Sequence, residues 1–433
     1  MPHSLSAATH IDFTCSGVTR VTLAFFAAQI KPPARNLIHH KKTRIFVMMA
    51  VISRAQLQSV TASGRAVITD VKHLSSYNWI EAPTPTIVVP GMPALWVAPK
   101  GPRRLARDSG FFYIAQNAAR HPDHPLEPLF RSLYAEDEFF DISSVGVITE
   151  RNSIRKLLSL IIPDPYKSES SAFTIGVEVI KDTVIFRRDE AVTHEILGPG
   201  SYRGHGHEFE KAYTVNRVDG STGYHRVISY QFCDLKFIVC HETDAYIDET
   251  NDSCEGTMEN LATPLTAYTS INDSKLRIAK GGKMVPLHTI LEIKTRTMRK
   301  PLAIRDVAPQ LWISQTPNLV RAHHRYGEFD KAQTENVAAQ IQEWENENQP
   351  ALEKLGWLIK QITAIAKDYG GQAKVEYDPQ GDRLVVSADC GKRMLPADLY
   401  SKWNMESSYR EPETAISEHR GAEFTAEVKE KRD

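Results

Sequence analysis

Two short acidic segments contain the residues of this sequence that are best suited to metal chemistry. Glu242 and Asp244 follow the apolar run FIVC, and Glu292 and Lys294 end the run HTIL. On a strand, residues i and i+2 point to the same side, so each pair faces one direction. If the two strands lie side by side, three carboxylates and one ammonium group converge on one patch.

Such a patch has the composition that phosphodiester hydrolysis requires. Mg²⁺ is usually held by one or two carboxylates together with water and substrate phosphate. The metal polarises a phosphoryl oxygen and activates a bound water, and a nearby lysine neutralises charge that develops on the phosphate. Spacing alone leaves a second interpretation open, a solvated face of Glu and Lys, because ExD and ExK are common on strands.

The elements that must position these residues are predicted to mix strands and helices. Strands are predicted for runs of β-branched and aromatic residues at 234–240 and 285–294. Two hairpins are predicted as well, one from strands 172–180 and 183–187 and one from strands 374–377 and 383–388. Helices are predicted for runs with apolar residues at helical spacing, at 125–134, 149–161, 331–347 and 351–368. Thr149 is the predicted N-cap of the second helix, and the proline-rich stretch 76–102 is predicted to lie extended over the domain. The fold class is α/β (α+β), a mixed central β-sheet flanked by helices.

Composition also predicts the limits of the domain. Residues 1–56 contain a single acid, Asp12, among more numerous basic residues, and are predicted to be a disordered or targeting-like extension. Residues 57–404 are predicted to form one nuclease-like domain with a polar insertion near 247–283, longer than ordinary connections. Residues 405–433 have many charges and few apolar side chains, and are predicted to be a disordered tail.

Charge and cysteine usage exclude several classes of protein. The 52 Lys and Arg nearly balance the 53 Asp and Glu, so a nucleic acid must bind a local basic patch. The 5 cysteines form no C-x-x-C pair, which is typical of a reducing compartment without a disulfide framework. No apolar run is long enough to span a bilayer, so no membrane partner is expected. His205 and His207 suggest a zinc site but have no third ligand at suitable spacing.

An ordered series of motifs around the two acidic segments resembles the Rai1/DXO family of RNA 5′-end decapping nucleases. Thr149–Asn152 resembles the start of the helix that carries the family's arginine, here Arg151. Gly206–Glu210 resembles a Gly-led motif that ends in glutamate, and the ExD and ExK segments follow in the family's order. Leu311–Gln315 resembles a tryptophan–glutamine segment that leads into a strand. The resemblance extends over roughly residues 145–330 and implies a PD-(D/E)xK nuclease-like core.

The resemblance implies a metal-binding role for the acidic residues. Glu210, Asp244, Glu292 and the Ile293 carbonyl would bind a divalent metal, Mg²⁺ or Mn²⁺. Glu242 would act in catalysis through a second metal or a bound water.

The remaining motif residues would act on the substrate. Lys294 and Gln315 would position water and the scissile phosphate in catalysis. Arg151 would bind the 5′ phosphate, because a guanidinium makes bidentate contacts at fixed charge.

The implied reaction is hydrolysis at the 5′ end of an RNA that carries a triphosphate or a cap. It would release pyrophosphate, a dinucleotide cap or a NAD cap, with 5′-to-3′ exonuclease activity as an addition. The family also implies a 5′-3′ exoribonuclease as a protein partner. The expected location is the nucleus, with the cytoplasm and the mitochondrion as alternatives.

Three features depart from the family pattern. Thr243 stands at an apolar position of the ExD motif, His207 stands at an aromatic or aliphatic position, and the segment 247–283 is longer than the family's spacing. All the charged motif residues are present, which disfavours an inactive relative. Two other hypotheses remain: a DNA nuclease of the PD-(D/E)xK class, and a non-catalytic protein that stabilises an exoribonuclease.

Overall fold

The computed structural model describes residues 19–20, 48–61, 64–162, 171–198, 204–249, 266–270 and 274–404. The predicted tail 405–433, most of the predicted N-terminal extension and much of the predicted insertion lie outside these ranges. Within them, no helix is both long and apolar enough to cross a membrane.

Strands dominate the described part of the chain. Up to residue 198 they are β1 (Thr19–Arg20), β2 (Met49–Ser53), β3 (Thr69–Ile80), β4 (Thr86–Gly91), β5 (Leu95–Trp96), β6 (Arg103–Arg104), β7 (Gly110–Tyr113), β8 (Val147–Glu150), β9 (Phe173–Ile180), β10 (Thr183–Asp189) and β11 (His194–Leu197). After it they are β12 (Thr214–Val215), β13 (Ser221–Phe232), β14 (Leu235–Glu242), β15 (Ala245–Tyr246), β16 (Thr266–Ser270), β17 (Arg277–Gly282), β18 (Ile290–Thr297), β19 (Asn318–Arg325), β20 (Glu328–Phe329), β21 (Thr334–Asn336), β22 (Gln372–Asp378) and β23 (Arg383–Ala388).

Helices of varied length connect these strands. They are α1 (Arg54–Ser59), α2 (Gln116–Arg120), α3 (Glu127–Glu136), α4 (Arg151–Ile161), α5 (Gly206–Tyr213), α6 (Ala308–Ser314), α7 (Ala338–Glu347), α8 (Gln349–Asp368) and α9 (Ala397–Tyr400). In α8, Leu352, Leu355, Ile359 and Ile362 recur at helical spacing and are fully buried, so the helix packs one apolar face on the domain.

The larger sheet has the strand order β1-β2-β23-β22-β9-β10-β8-β14-β13-β3-β4-β17-β16. Its strands are mostly antiparallel, but β8 pairs in parallel with β10 and with β14, and β4 pairs in parallel with β17. The strand that ends at Glu242, β14, therefore lies in the middle of the sheet. Residues 237–240 are buried without alternation, as expected of a strand covered on both faces.

A smaller sheet carries the second acidic segment. Its order is β12-β5-β15-β18-β19-β20-β6, with β21 paired to β19. The strand that holds Glu292 and Lys294, β18, runs parallel to β19 on one side and antiparallel to β15 on the other. A further two-stranded sheet pairs β7 with β11.

The main core lies where α4, α6, α7 and α8 cover one face of the larger sheet. Trp312 of α6 packs against Trp344 of α7, and its indole donates a hydrogen bond to Glu345 at 2.6 Å. Phe232 of β13 contacts the same Trp312 ring edge-on. This packing fixes α6 and α4 on the same side of the sheet, next to the end of β14.

The predicted fold class, a mixed α/β protein with sheets flanked by helices, is confirmed, and so are both predicted hairpins. The predicted N-cap is wrong: Thr149 lies in β8, its hydroxyl donates to the Phe186 carbonyl at 3.2 Å, and α4 begins at Arg151. The predicted helix 331–347 begins only at Ala338, because residues 334–336 pair with β19. The proline-rich stretch does not lie over the domain, since β3 and β4 are strands of the larger sheet.

Two predicted boundaries also differ from the structure. Met49–Ser53 pairs with β23, and Ser53 caps α1, so the ordered fold includes residues that were assigned to the N-terminal extension. Within the predicted insertion, β16 and β17 pair with each other and add to the edge of the larger sheet. Both segments were too short or too polar to be recognised as strands from their own sequences.

Candidate active site

The two acidic strands meet through a short connection between the sheets. β14 and β18 belong to different sheets and do not pair with each other. Immediately after Asp244 the chain forms β15, in which Ala245 pairs with Leu291 of β18. This antiparallel register sets Asp244 level with Glu292, and the Asp244 carboxylate accepts a hydrogen bond from the Ile293 amide at 2.7 Å. The predicted convergence is therefore achieved by a two-residue strand.

Glu292 is the most enclosed acid of the site, with a side chain that is 2 % exposed. One carboxylate oxygen accepts hydrogen bonds from the Lys294 ammonium group and from the Gln310 amide. The other lies 3.4 Å from Nη1 of Arg151, the first residue of α4. A buried carboxylate needs such partners to remain charged.

The charges of Glu292 and Lys294 stabilise each other. Burial acts to raise the pKa of Glu292, but the positive charges of Lys294 and Arg151 outweigh it, so the pKa lies below its ordinary value. Burial acts to lower the pKa of Lys294, but Glu292 and Asp244 outweigh it, so that pKa is raised. Both groups therefore carry their charge at neutral pH.

The other carboxylates carry uncompensated negative charge. Burial and the charge of Glu292 raise the pKa of Asp244 to about 7. Burial, followed by the charge of Asp244, raises the pKa of Glu210 well above its ordinary value. Desolvation by the surrounding protein also raises the pKa of Glu242. The side chain of Glu242 is solvent-exposed, however, so water weakens this effect. With all four acids ionised, the cluster would hold more negative charge than Lys294 and Arg151 neutralise, which is why Glu210 and Asp244 tend to take up protons.

This donor set fits a divalent cation in its chemistry. Carboxylates that take up protons because of mutual repulsion are stabilised when a hard cation joins them. The charges of Asp244, Glu242 and Glu292 act to raise the pKa of Glu210, and those of Glu292 and Glu242 act to raise the pKa of Asp244. Among the described residues, no three His, Cys, Asp or Glu side chains are arranged to hold a metal ion. The Glu292 carboxylate instead bonds to Lys294 and Gln310.

The helix that carries Glu210 is fixed by an aspartate outside the predicted motif. The amides of Gly206 and Glu208, at the start of α5, donate to the Asp108 carboxylate at 2.9 and 3.0 Å. A carboxylate at this position satisfies free amides and complements the helix dipole. His205 and His207 have separate partners, the Ala106 carbonyl and the Phe112 ring.

Basic residues lie beside the acids on α4 and β10. Arg155, one turn after Arg151, is exposed and donates to the Gln310 side chain at 3.3 Å. Desolvation by the surrounding protein, followed by the positive charges of Arg151 and Arg188, lowers the pKa of Arg155. Glu190 neutralises Arg188 at 2.7 Å, whereas Arg155 makes no salt bridge within the described residues. An anionic group next to Glu292 would relieve this repulsion.

The structure assigns the glutamine of the site differently from the motif. Gln315 follows α6 in a left-handed conformation (φ 50°), and its amide donates to the Trp312 carbonyl. Gln310, five residues earlier, contacts Glu292 instead. The prediction for Gln315 placed it against the scissile phosphate, and the residue that the structure brings to the acids is Gln310. Gln310, Arg155 and Asp108 were all missed from the sequence.

Comparisons with known proteins agree with this architecture. A family model described as "Domain of unknown function (DUF8563)" matches residues 47–398. No curated protein matches the sequence. Rai1 from S. pombe matches in structure with a TM-score of 0.50 and 12% identity, over 78% of this chain and 99% of that chain. The same protein in complex with 3′-FADP matches with a TM-score of 0.50 and 11% identity, over 78% of this chain and 99% of that chain.

Rai1 from Scheffersomyces stipitis, in complex with (3′-NADP)⁺ and calcium ion, gives a TM-score of 0.50 and 15% identity, over 84% of this chain and 96% of that chain. At such identities the likeness concerns the fold, and it confirms at that level the resemblance that the motifs indicated. The chain belongs to the DUF8563 family, and its fold is that of Rai1.

Proposed function

We propose that this protein is a divalent-metal-dependent hydrolase that acts on the 5′ end of RNA, where it removes a triphosphate-derived group or a cap. One observation carries the proposal. The register between β15 and β18 sets Asp244 level with Glu292, and Lys294, Arg151 and Gln310 all contact the Glu292 carboxylate. Acids for a metal and cations for a phosphate thus occupy one site.

Glu210, Asp244 and Glu292 would hold Mg²⁺ or Mn²⁺, with the Ile293 carbonyl as a further oxygen ligand. When bound, the metal polarises a phosphoryl oxygen and lowers the pKa of water. The calcium ion in the S. stipitis Rai1 structure supports a divalent cation in this fold. Glu242 is solvent-exposed at the end of β14, so it is the acid best situated to accept a proton from an attacking water.

The basic residues would bind the substrate. Arg151 lies 3.4 Å from Glu292, so a phosphate bound at this carboxylate's metal would also reach the guanidinium. Lys294 keeps its charge and would stabilise negative charge on the phosphate in the transition state. Gln310 would hold Arg155 and Glu292 in place, because its side-chain oxygen accepts from Arg155 and its amide donates to Glu292.

The nucleotide ligands of the Rai1 structures, 3′-FADP and (3′-NADP)⁺, support a substrate that contains a pyrophosphate-linked nucleotide. They favour cap removal, including removal of a NAD cap, over a DNA nuclease. A 5′-to-3′ exonuclease activity, a 5′-3′ exoribonuclease partner and a nuclear location belong to the same proposal.

A panel of substrates tests this function. The full chain is incubated with RNAs that differ only in a 5′ monophosphate, triphosphate, cap or NAD cap, and with DNA of the same sequence, in Mg²⁺, Mn²⁺ or chelator. We expect metal-dependent release of a 5′ product from RNA. Glu292→Gln should lower the rate about a thousandfold or more. Glu328→Gln, the same change in an exposed ion pair with Arg104, should leave it unchanged.

Three outcomes would contradict the proposal. Hydrolysis of DNA at the same rate as RNA would favour a DNA nuclease. Full activity of Glu292→Gln would show that the chemistry occurs elsewhere. Absence of hydrolysis with every metal, together with a stable exoribonuclease complex, would favour the non-catalytic role.

A further inference from the structure

A buried polar patch lies behind the acidic segment, on the face opposite to Glu242. Arg226 of β13 pairs with His241 of β14, and the Thr243 amide donates to the Tyr224 carbonyl. Paired and alternate residues of neighbouring strands share one face, so these side chains are adjacent. Arg226 is 0 % exposed, His241 3 % and Thr243 5 %. Their polar atoms therefore need partners inside the protein.

Most of those polar atoms have no partner among the described residues. Arg226 bonds only through Nη2, to His73 Nδ1 at 3.2 Å and to the Val285 carbonyl at 3.4 Å, and its Nε and Nη1 are unpartnered. The Thr243 hydroxyl and both ring nitrogens of His241 are also unpartnered. The Tyr224 hydroxyl, which lies near Ser76, has no hydrogen-bond partner among the described residues either.

The free groups are mainly donors. A guanidinium can only donate, so His73 Nδ1 accepts its bond and the proton of His73 lies on Nε2, which is itself unpartnered. An imidazole in any protonation state has at least one N–H, so His241 adds another donor. Together with Arg226 and Thr243, these groups form a cluster in which unpartnered donors outnumber acceptors.

The patch also has an unbalanced positive charge. Within the part of the chain that the structure describes, no carboxylate forms a salt bridge with Arg226, and burial lowers the pKa of its guanidinium. A buried charge without a counter-ion is far more costly than a buried neutral group without a hydrogen bond. Water would satisfy the donors but would leave the charge in place.

We propose that Arg226, His73, His241 and Thr243 bind a small inorganic anion of halide size on one face of β3, β13 and β14. Directly opposed residues lie about 5 Å apart, which suits a single ion held by several donors. The site is enclosed, so it is separate from any substrate-binding surface, and the proposal is independent of hydrolase activity. The anion would balance Arg226 from behind the segment that presents Glu242 and Asp244.

Bromide provides a direct test, because its anomalous scattering distinguishes it from water. Wild-type protein is crystallised with sodium bromide in place of sodium chloride. We expect an anomalous peak in contact with Arg226 Nε or Nη1. Density of water alone at this position, with no anomalous signal, would overturn the proposal.

Thermal unfolding tests the same site in solution. Raising chloride about a hundredfold, with gluconate keeping the ionic strength constant, should raise the wild-type Tm by about 3 °C. Arg226→Gln should abolish this dependence, and Arg104→Gln, the same change at an exposed arginine, should retain it. Thr243→Val, which keeps the side-chain shape, should weaken it and serves if Arg226→Gln does not fold. A wild-type Tm that is insensitive to chloride would contradict halide binding.

Discussion

Replacement of Asp244 by asparagine separates the stability of the site from its function. Asn keeps the shape and the oxygen that accepts the Ile293 amide bond, and removes only the charge. The pKa of Asp244 is raised from 3.8 to about 7 in the folded protein. The folded state therefore favours the protonated acid, and wild-type stability falls as pH rises from the unfolded pKa through the folded one.

The size of this effect follows from the pKa difference. A difference of about three corresponds to about 4 kcal/mol, and solvent at the open side of the site reduces it to about 2–4 kcal/mol. Without metal, Asp244→Asn should thus be more stable than wild type by this amount above pH 7. The gap should narrow as the pH falls towards 3.8, because the folded protein then carries Asp244 protonated and the unfolded chain begins to protonate it as well.

Chemical denaturation from pH 4 to pH 8, in chelator and in Mg²⁺, measures this difference. Mg²⁺ should stabilise wild type and not Asp244→Asn, and the variant should have no hydrolase activity. Asp123→Asn is the matched control, because Lys275 lowers the pKa of that exposed acid and no gain in stability is expected. Equal stability of the two proteins at pH 8 in chelator, or equal stabilisation by Mg²⁺, would refute the assignment of Asp244 as a charged metal ligand.

Four further substitutions test the roles assigned to the residues of the site. Gln310→Ala should lower kcat about tenfold to a hundredfold, whereas Gln315→Ala should leave it unchanged. Steady-state kinetics on one RNA substrate measure both effects. A loss of kcat in Gln315→Ala and not in Gln310→Ala would restore the motif-based assignment. Arg155→Gln should raise KM for RNA about tenfold and reduce the salt dependence of binding by about one charge, which titrations at several salt concentrations measure. Lys294→Met should lower the free energy of unfolding by about 3 kcal/mol in chelator, because Glu292 loses its main counter-charge; unchanged stability would show that Arg151 suffices.

Local patterns in the sequence predicted the parts of the fold that depend on near neighbours. That Glu292 and Lys294 lie on one side of their strand follows from the alternation of side chains, which needs no tertiary information. In the structure the Lys294 ammonium group donates a hydrogen bond to the Glu292 carboxylate. The hairpin that joins β9 and β10 was predicted for the same reason, since Lys181–Asp182 separates two runs of β-forming residues.

Features that depend on distant segments could not be predicted in this way. The two-residue strand β15 connects the sheets, and it is too short to produce a pattern. The choice between Gln310 and Gln315 depends on where α6 ends and how it packs, and the sequence pattern does not determine either. Ser53 and β2 were assigned to an extension because their partner, β23, lies more than three hundred residues away.

The segment 241–244 explains one departure from the motif that the sequence alone left without a cause. Thr243 stands where the resembling motif has an apolar residue, and in this fold that position faces Arg226 and His241 rather than an apolar core. A hydroxyl there adds a donor to the buried patch, whereas an apolar side chain would leave the proposed anion with one donor fewer. Alternation along one strand thus gives the segment two different surroundings. Glu242 and Asp244 face the candidate metal site, and His241 and Thr243 face the proposed anion.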